Sequence, residues 1–266
     1  MYTLAGPAAG PGPASHRARL FMEHRACLAA GQPPGTITPV SLCNHAYWHL
    51  SGAAEPSGWP EGLPEGAAAG HRLQLHCSRL VPLRESDWLP PTDGTTLPVG
   101  DARGAGGAGE RGAAGALDFR AGATLGEKLE ALNGEGSRDF ARGFNAFLLV
   151  DGWRPPPLHP LGDAGEGAPL PHARELLSRL LPLGRLCDPA SGRAMALSTT
   201  CPGVQLYTNF GYAPFAAGST LCLETGWPPD TANSSFSAEG GVVVERSLLR
   251  AGEERVDLTC HAFEWF

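Results

Sequence analysis

"HRLQLHC" (residues 71–77) decides the fold class. Leu73, Leu75 and Cys77 alternate with Arg72, Gln74 and His76, the period-two pattern of a strand with one face in a core. "RVDLTCHA" (255–262) repeats the pattern and places Val256, Leu258, Cys260 and Ala262 on one face, and "GVQLYTNF" (203–210) reads as another strand. "GVVVERSLL" (241–249) and "RVDLTCHAFEW" (255–265) flank "RAGEE" (250–254), which reads as a hairpin turn. Helical spacing is rare. "TLGEKLEALNG" (124–134) sets Leu125, Leu129 and Leu132 on one side and closes on Asn133-Gly134. "PHARELLSRLLP" (171–182) suits a second helix or a buried strand. The expectation is an all-β sandwich.

The 266 residues suffice for one sizeable domain. With 36 glycines and 25 prolines, much of the excess lies in two stretches, 100–116 and 154–172, which read as surface insertions. The proline-rich segment 1–17 reads as disordered, leaving residues 18–266 as the domain. A net charge of −7 with scattered Lys and Arg argues against nucleic acid and suits a neutral small molecule. Seven cysteines without a CxxC pair signal neither a zinc site nor a disulfide framework. Reduced thiols, no membrane span and no secretory signal in the first fifteen residues make the cytoplasm the expected location.

Two stretches hold polar residues where strands should be apolar. "TPVSLCNHAYWHLSG" (38–52) carries Asn44 and His45, with His49 four residues on. A lone strand histidine is more often structural than catalytic, and the His45–His49 spacing is wide for shared ligation with no third ligand in view, so no metal is expected. "LCLETGWPPDTAN" (221–233) ends an apolar run on the single acid Glu224, then turns at Trp227 and two prolines. By itself Glu224 reads as a solvated strand-end acid, and Trp227 as a packing anchor or a stacking surface for a sugar. Gln205 and Tyr207 belong to the core or its rim.

Together with "ASGRAMALSTTCPGVQLYTNF" (190–210), these stretches fall in the order and approximate spacing of the aldose 1-epimerases, the galactose mutarotases. "LVPLRESDWLPPTDGTTLPV" (80–99), "ALDFR" (116–120) and "RGFNAFLL" (142–149) extend a resemblance that runs from about Leu20 to the end. It implies a galactose-mutarotase-like β-sandwich that interconverts the α and β anomers of free aldohexoses such as galactose and glucose, without cofactor or metal. Glu224 then matches the general base and His45 the general acid, set on opposite sides of the C1–O5 unit. Asn145 stands where the family carries a sugar-binding Asp, and Ala146 where it carries His. Exchanging a charged for a neutral acceptor there costs ~1 kcal/mol or more in binding.

The family also carries roughly half a domain before the strand that "ARLFMEHRACLA" (18–29) resembles, including a substrate-positioning Arg and a second active-site His. The stretch before Leu20 has no counterpart, and His16 and His24 lack the family's context. The sandwich is therefore expected to be incomplete at the N-terminus. Three readings follow: part of a longer enzyme, a chain that pairs with another to complete the sandwich, or a non-catalytic sugar-binding relative. An epimerase of phosphorylated hexoses would use Arg142 and Arg193 on the phosphate, but no basic cluster supports it.

Overall fold

A computed structural model of the chain describes residues 1–6, 18–52, 63, 65–83, 87, 89–101, 115–134, 143–155, 159–160, 173–208, 216–230, 237–238, 241–242 and 248–265. In chain order the strands are β1 (Tyr2–Ala5), β2 (Ala18–Cys27), β3 (Ile37–Pro39), β4 (Tyr47–Trp48), β5 (Arg72–Leu75), β6 (Arg79–Val81), β7 (Leu97–Pro98), β8 (Ala123–Thr124) and β9 (Asn145–Leu149). They continue as β10 (His159–Pro160), β11 (Leu181–Asp188), β12 (Arg193–Thr199), β13 (Gly203–Thr208), β14 (Leu221–Gly226), β15 (Ser237–Ala238), β16 (Gly241–Val242), β17 (Leu248–Arg250) and β18 (Glu253–Trp265). Among the described residues the α-helices are α1 (Leu125–Asn133) and α2 (Ala173–Ser178), with a 3-10 turn at Ala67–Gly70.

Two antiparallel sheets make the sandwich. The larger runs β1-β2-β18-β12-β11-β5-β8, with β10 also paired to β18, and the smaller runs β4-β14-β13-β9-β6-β7. Their facing sides share one core. Leu73, Leu75, Leu186, Met195 and Leu197 come from the large sheet, and Leu148, Val204, Leu206, Leu221 and Leu223 from the small one. The alternation in 71–77 is realised, with Leu73, Leu75 and Cys77 buried while Arg72, Gln74 and His76 stay exposed. Helix α1 starts at a capping box, in which Thr124 Oγ1 accepts from Glu127 N–H at 3.2 Å and Glu127 Oε2 accepts from Thr124 N–H at 2.8 Å. Leu125, Leu129 and Leu132 are buried.

Several expectations change. "PHARELLSRLLP" divides: α2 takes its first half, and β11 starts at Leu181, so both alternatives hold in part. "RAGEE" is a turn but not a hairpin, because β17 pairs with β3 and β18 pairs with β2 and β12. Residues 2–5 of the segment read as disordered form β1, paired to β2 from Tyr2–Met22 to Ala5–Arg19; residues 7–17 lie outside the described residues. Most of both insertions lies outside them as well.

The largest change concerns β18. Alternation favoured Val256, Leu258, Cys260 and Ala262; Leu258 and Cys260 are buried, but so are Arg255, Asp257, Thr259 and His261 on the other face. They meet the small sheet at a polar seam. Thr259 and Thr225 hydroxyls are 2.6 Å apart, Trp227 Nε1 donates to Asp257 Oδ2 at 3.2 Å, and the His261 and Trp48 rings lie 5.0 Å apart. Thr259, Asp257 and Arg255 have hydrogen-bonding partners there that offset their dehydration, whereas the buried His261 Nδ1 has none among the described residues.

Close approach fixes Gly184, which follows a bulge at Pro182 and pairs with Leu75. A Cβ there would stand 2.1 Å from the Gln74 carbonyl oxygen and 2.9 Å from Leu75 Cδ2. Backbone cannot move aside as a side-chain tip can, so Gly184→Ala is expected to cost about 2 kcal/mol or more. The denaturant midpoint measures this, and an unchanged midpoint would refute it.

Candidate active site

The outer face of the small sheet carries the polar residues that its strands cannot bury. Pairing places Gln205 opposite Glu224 and Tyr207 opposite Cys222 on β13 and β14, then Asn145 opposite Tyr207 and Phe147 opposite Gln205 on β9. On the other side Tyr47 of β4 pairs with Cys222. Successive side chains alternate across a sheet, so these residues share one face while Leu206, Leu221 and Leu223 point into the core. Four neighbouring strands thus line a cleft of about 560 Å³.

His45 Nε2 lies 3.3 Å from Glu224 Oε1 in this cleft. The His45 side chain is 51% exposed and that of Glu224 only 11%, so the imidazole fronts solvent and the carboxylate sits behind it. Burial raises the Glu224 carboxyl above its ordinary value, while His45 and a Cys43 hydrogen bond pull it back. Tyr47 stacks on His45 with centroids 5.0 Å apart, and Tyr207 meets the same ring edge-on at 6.1 Å. His45 Nδ1 faces Cys222 Sγ at 3.5 Å, and Cys43 Sγ reaches Glu224 Oε2 at 3.9 Å.

The structure therefore joins His45, Glu224 and Asn145 on one surface, but with two differences from expectation. His45 and Glu224 are side by side rather than opposed. The ring oxygen and the anomeric hydroxyl are both bonded to C1, so a side-by-side pair can serve both. Asn145 also spends its carbonyl on Gln205, whose Nε2 donates to Asn145 Oδ1. Whichever way the two amides are oriented, one donor and one acceptor remain for a ligand.

Other candidates sort by their contacts. Trp227 is 4% exposed, with the Arg255 guanidinium over its ring at 4.4 Å and Trp153 against it at 5.6 Å. Those contacts make it a packing anchor that lends an edge to the cleft. Arg193 donates to the carbonyls of Leu50 at 3.0 Å and Ser51 at 2.7 Å, and so ties a loop rather than facing the cleft. Arg142 and His16 lie outside the described residues. His49 packs on His71 at 4.8 Å and pairs with Ser51, so the two histidines of 45–49 do not act together. Gln205 and Tyr207, read as core or rim, line the cleft; their register against β14 was the missing information.

Comparison with known proteins agrees with this fold. No family model matches the chain. It is 27% identical to human galactose mutarotase over 227 residues, which is 82% of this chain and 47% of that protein. The GalM/aldose epimerase homologue from C. elegans superposes with a TM-score of 0.57 at 17% identity, over 93% of this chain and 56% of that one. Galactose 1-epimerase from Lactobacillus acidophilus NCFM gives 0.51 at 14% identity, over 99% of this chain and 66% of that one. The chain thus spans about half the length of the curated relative it matches. No helix among the described residues is long and apolar enough to cross a membrane. A cleft on the outer face of an antiparallel sandwich and a sequence match over most of this chain agree: the chain is similar in sequence to galactose mutarotase and has the galactose-mutarotase-like fold.

Proposed function

We propose that this chain interconverts the α and β anomers of a free aldohexose, galactose or glucose, by proton transfer between Glu224, His45 and the sugar. The side-by-side contact of His45 Nε2 and Glu224 Oε1 at 3.3 Å in an open cleft carries the reading. Ring opening needs one proton removed from the anomeric hydroxyl and one delivered to the ring oxygen. Glu224 takes the first through its carboxylate, and the Nε2–H of His45 supplies the second as the C1–O5 bond breaks. The products are the open-chain aldehyde, a protonated Glu224 and a His45 that has given up its proton.

Rotation about C1–C2 turns the other face of the aldehyde to the C5 hydroxyl. Closure returns the hydroxyl proton to His45 and the Glu224 proton to O1, so the cycle consumes nothing. The raised Glu224 affinity for protons suits this exchange, since a base whose pKa nears the working pH both accepts and returns its proton readily. The Asn145–Gln205 amide pair offers a donor and an acceptor to sugar hydroxyls, and Tyr47 and Tyr207 hold the imidazole in place.

Polarimetry of freshly dissolved α-galactose tests the proposal. The expected result is decay to the equilibrium rotation faster than in buffer, with an increment proportional to protein concentration. A chain that melts cooperatively but leaves the buffer rate unchanged would overturn it. A melting temperature raised by sugar without rate enhancement would then assign the cleft to binding alone.

A further inference from the structure

The thiol beneath the imidazole is unused by that chemistry. Cys222 is fully buried, lies two residues before Glu224 on the same strand face, and is covered by the His45 ring. One donor atom each from Cys222, His45 and Glu224 lies within 4.8 Å of the other two. Cys43 adds a second sulfur at 3.9 Å from the outer Glu224 oxygen. We propose that these residues form a binding site for one thiophilic divalent cation of the Zn²⁺ class, which excludes the sugar from the cleft while it is bound.

The spacing supports this. A tetrahedral ion with Zn–S of about 2.3 Å and Zn–N of about 2.0–2.1 Å holds its sulfur and nitrogen ligands about 3.5 Å apart. Cys222 Sγ and His45 Nδ1 already stand at 3.5 Å. The Glu224 carboxylate completes a mixed set of sulfur, nitrogen and oxygen, as borderline-soft Zn²⁺ accepts. Cys222 and Glu224 sit two apart on β14, where the ladder to β13 fixes the strand, so little ordering remains to be done. Sequence spacing concealed the set, because 177 residues separate His45 from Cys222.

Binding requires the Cys222 sulfur to give up its proton as the sulfur–metal bond forms, with the proton leaving to solvent and no change of oxidation state. A thiol ligates only as the thiolate, so occupancy releases a proton and strengthens as pH rises. An ion held between Cys222 Sγ and His45 Nδ1 occupies the Glu224 carboxylate that would take the sugar's proton, and it fixes the imidazole whose Nε2–H would deliver the other.

The test uses the reduced full chain. Zn²⁺ alone is titrated against a chelating dye, and Cd²⁺ alone is followed by the ultraviolet thiolate-to-metal charge-transfer band. One ion per chain, a thiolate band and proton release are expected. Affinity falls roughly tenfold or more in Cys222→Ser and in Glu224→Gln, each confirmed by a cooperative melt. Cys27→Ser, on the exposed end of β2, leaves affinity and band unchanged. Absence of the band, unchanged affinity in both site variants, or loss of the band in Cys27→Ser would overturn the proposal. If Cys222→Ser does not fold, Cys43→Ser and Glu224→Gln decide it by the same readouts. The titration stands whether or not the chain turns over sugar; where it does, Zn²⁺ slows mutarotation and added sugar relieves the effect.

Discussion

Glu224→Gln is expected to lower catalysed mutarotation by roughly 10²–10⁴-fold, the range over which a positioned acid–base group acts, while sugar still protects the chain against melting. Gln keeps the size of Glu and an oxygen that can accept from His45, so the cleft keeps its shape. It cannot take a proton from the anomeric hydroxyl. The loss therefore falls on kcat and leaves KM nearly unchanged, the mark of an interaction made in the transition state. The pH profile adds a second check. In the proposed mechanism the base works as a carboxylate, so activity is expected above its pKa and is lost below it. Burial raises that pKa above the ordinary 4.5, which moves the acidic limb to higher pH than an exposed glutamate would give. Gln removes that group, so any residual rate is flat across the limb. A variant with the parent rate would remove Glu224 from the mechanism.

The route from sequence to this site was uneven for physical reasons. Strands with one apolar face announce themselves, as 71–77 did, because burial and alternation then coincide. β18 did not follow the rule. Its buried face carries Arg255, Asp257, Thr259 and His261, whose partners Trp227, Thr225 and Trp48 come from distant parts of the chain. A period-two reading finds the strand and its buried Leu258 and Cys260, but not that the opposite, polar face is buried as well. The same limit governs the cleft. His45 and Glu224 were legible through motifs that each span a few residues. Gln205, Tyr207, Cys43 and Cys222 join them only through cross-strand register and the path of the chain before β4, neither of which local spacing encodes. Asn145 lines the cleft, but the bond from Gln205 that occupies its carbonyl depends on the β9–β13 pairing.

That polar seam also supports the site mechanically, and Arg255 is where it can be tested. Arg255 donates to the Val40 carbonyl at 3.0 Å, and its guanidinium stands over Trp227, while Trp227 donates to Asp257. Val40 leads into the 41–45 segment that delivers Cys43 and His45, and Trp227 follows the strand that delivers Glu224. Arg255→Met removes the charge that offsets buried Asp257 along with both contacts. Breaking a buried pair of charges typically costs about 3–5 kcal/mol, and about 3 kcal/mol is expected here at pH 7 to 8. The cost then shrinks on acidification, with a definite sign. Burial raises the Asp257 carboxyl to about 6 even with Arg255 present, and losing Arg255 raises it further. A carboxyl with a raised folded-state pKa binds its proton more tightly folded than unfolded, so its unfavourable share is full above that pKa and fades below it. At pH 5 the variant's Asp257 is protonated and the unpaired charge is gone. The difference in denaturant midpoint between parent and Arg255→Met is therefore larger at pH 8 than at pH 5. Arg255→Met with Asp257→Asn, which removes both charges, recovers much of the loss at pH 8 and flattens the pH dependence. Equal destabilisation at both pH values, or a double variant no better than the single, would mean that Arg255 acts through packing on Trp227 and not through its charge.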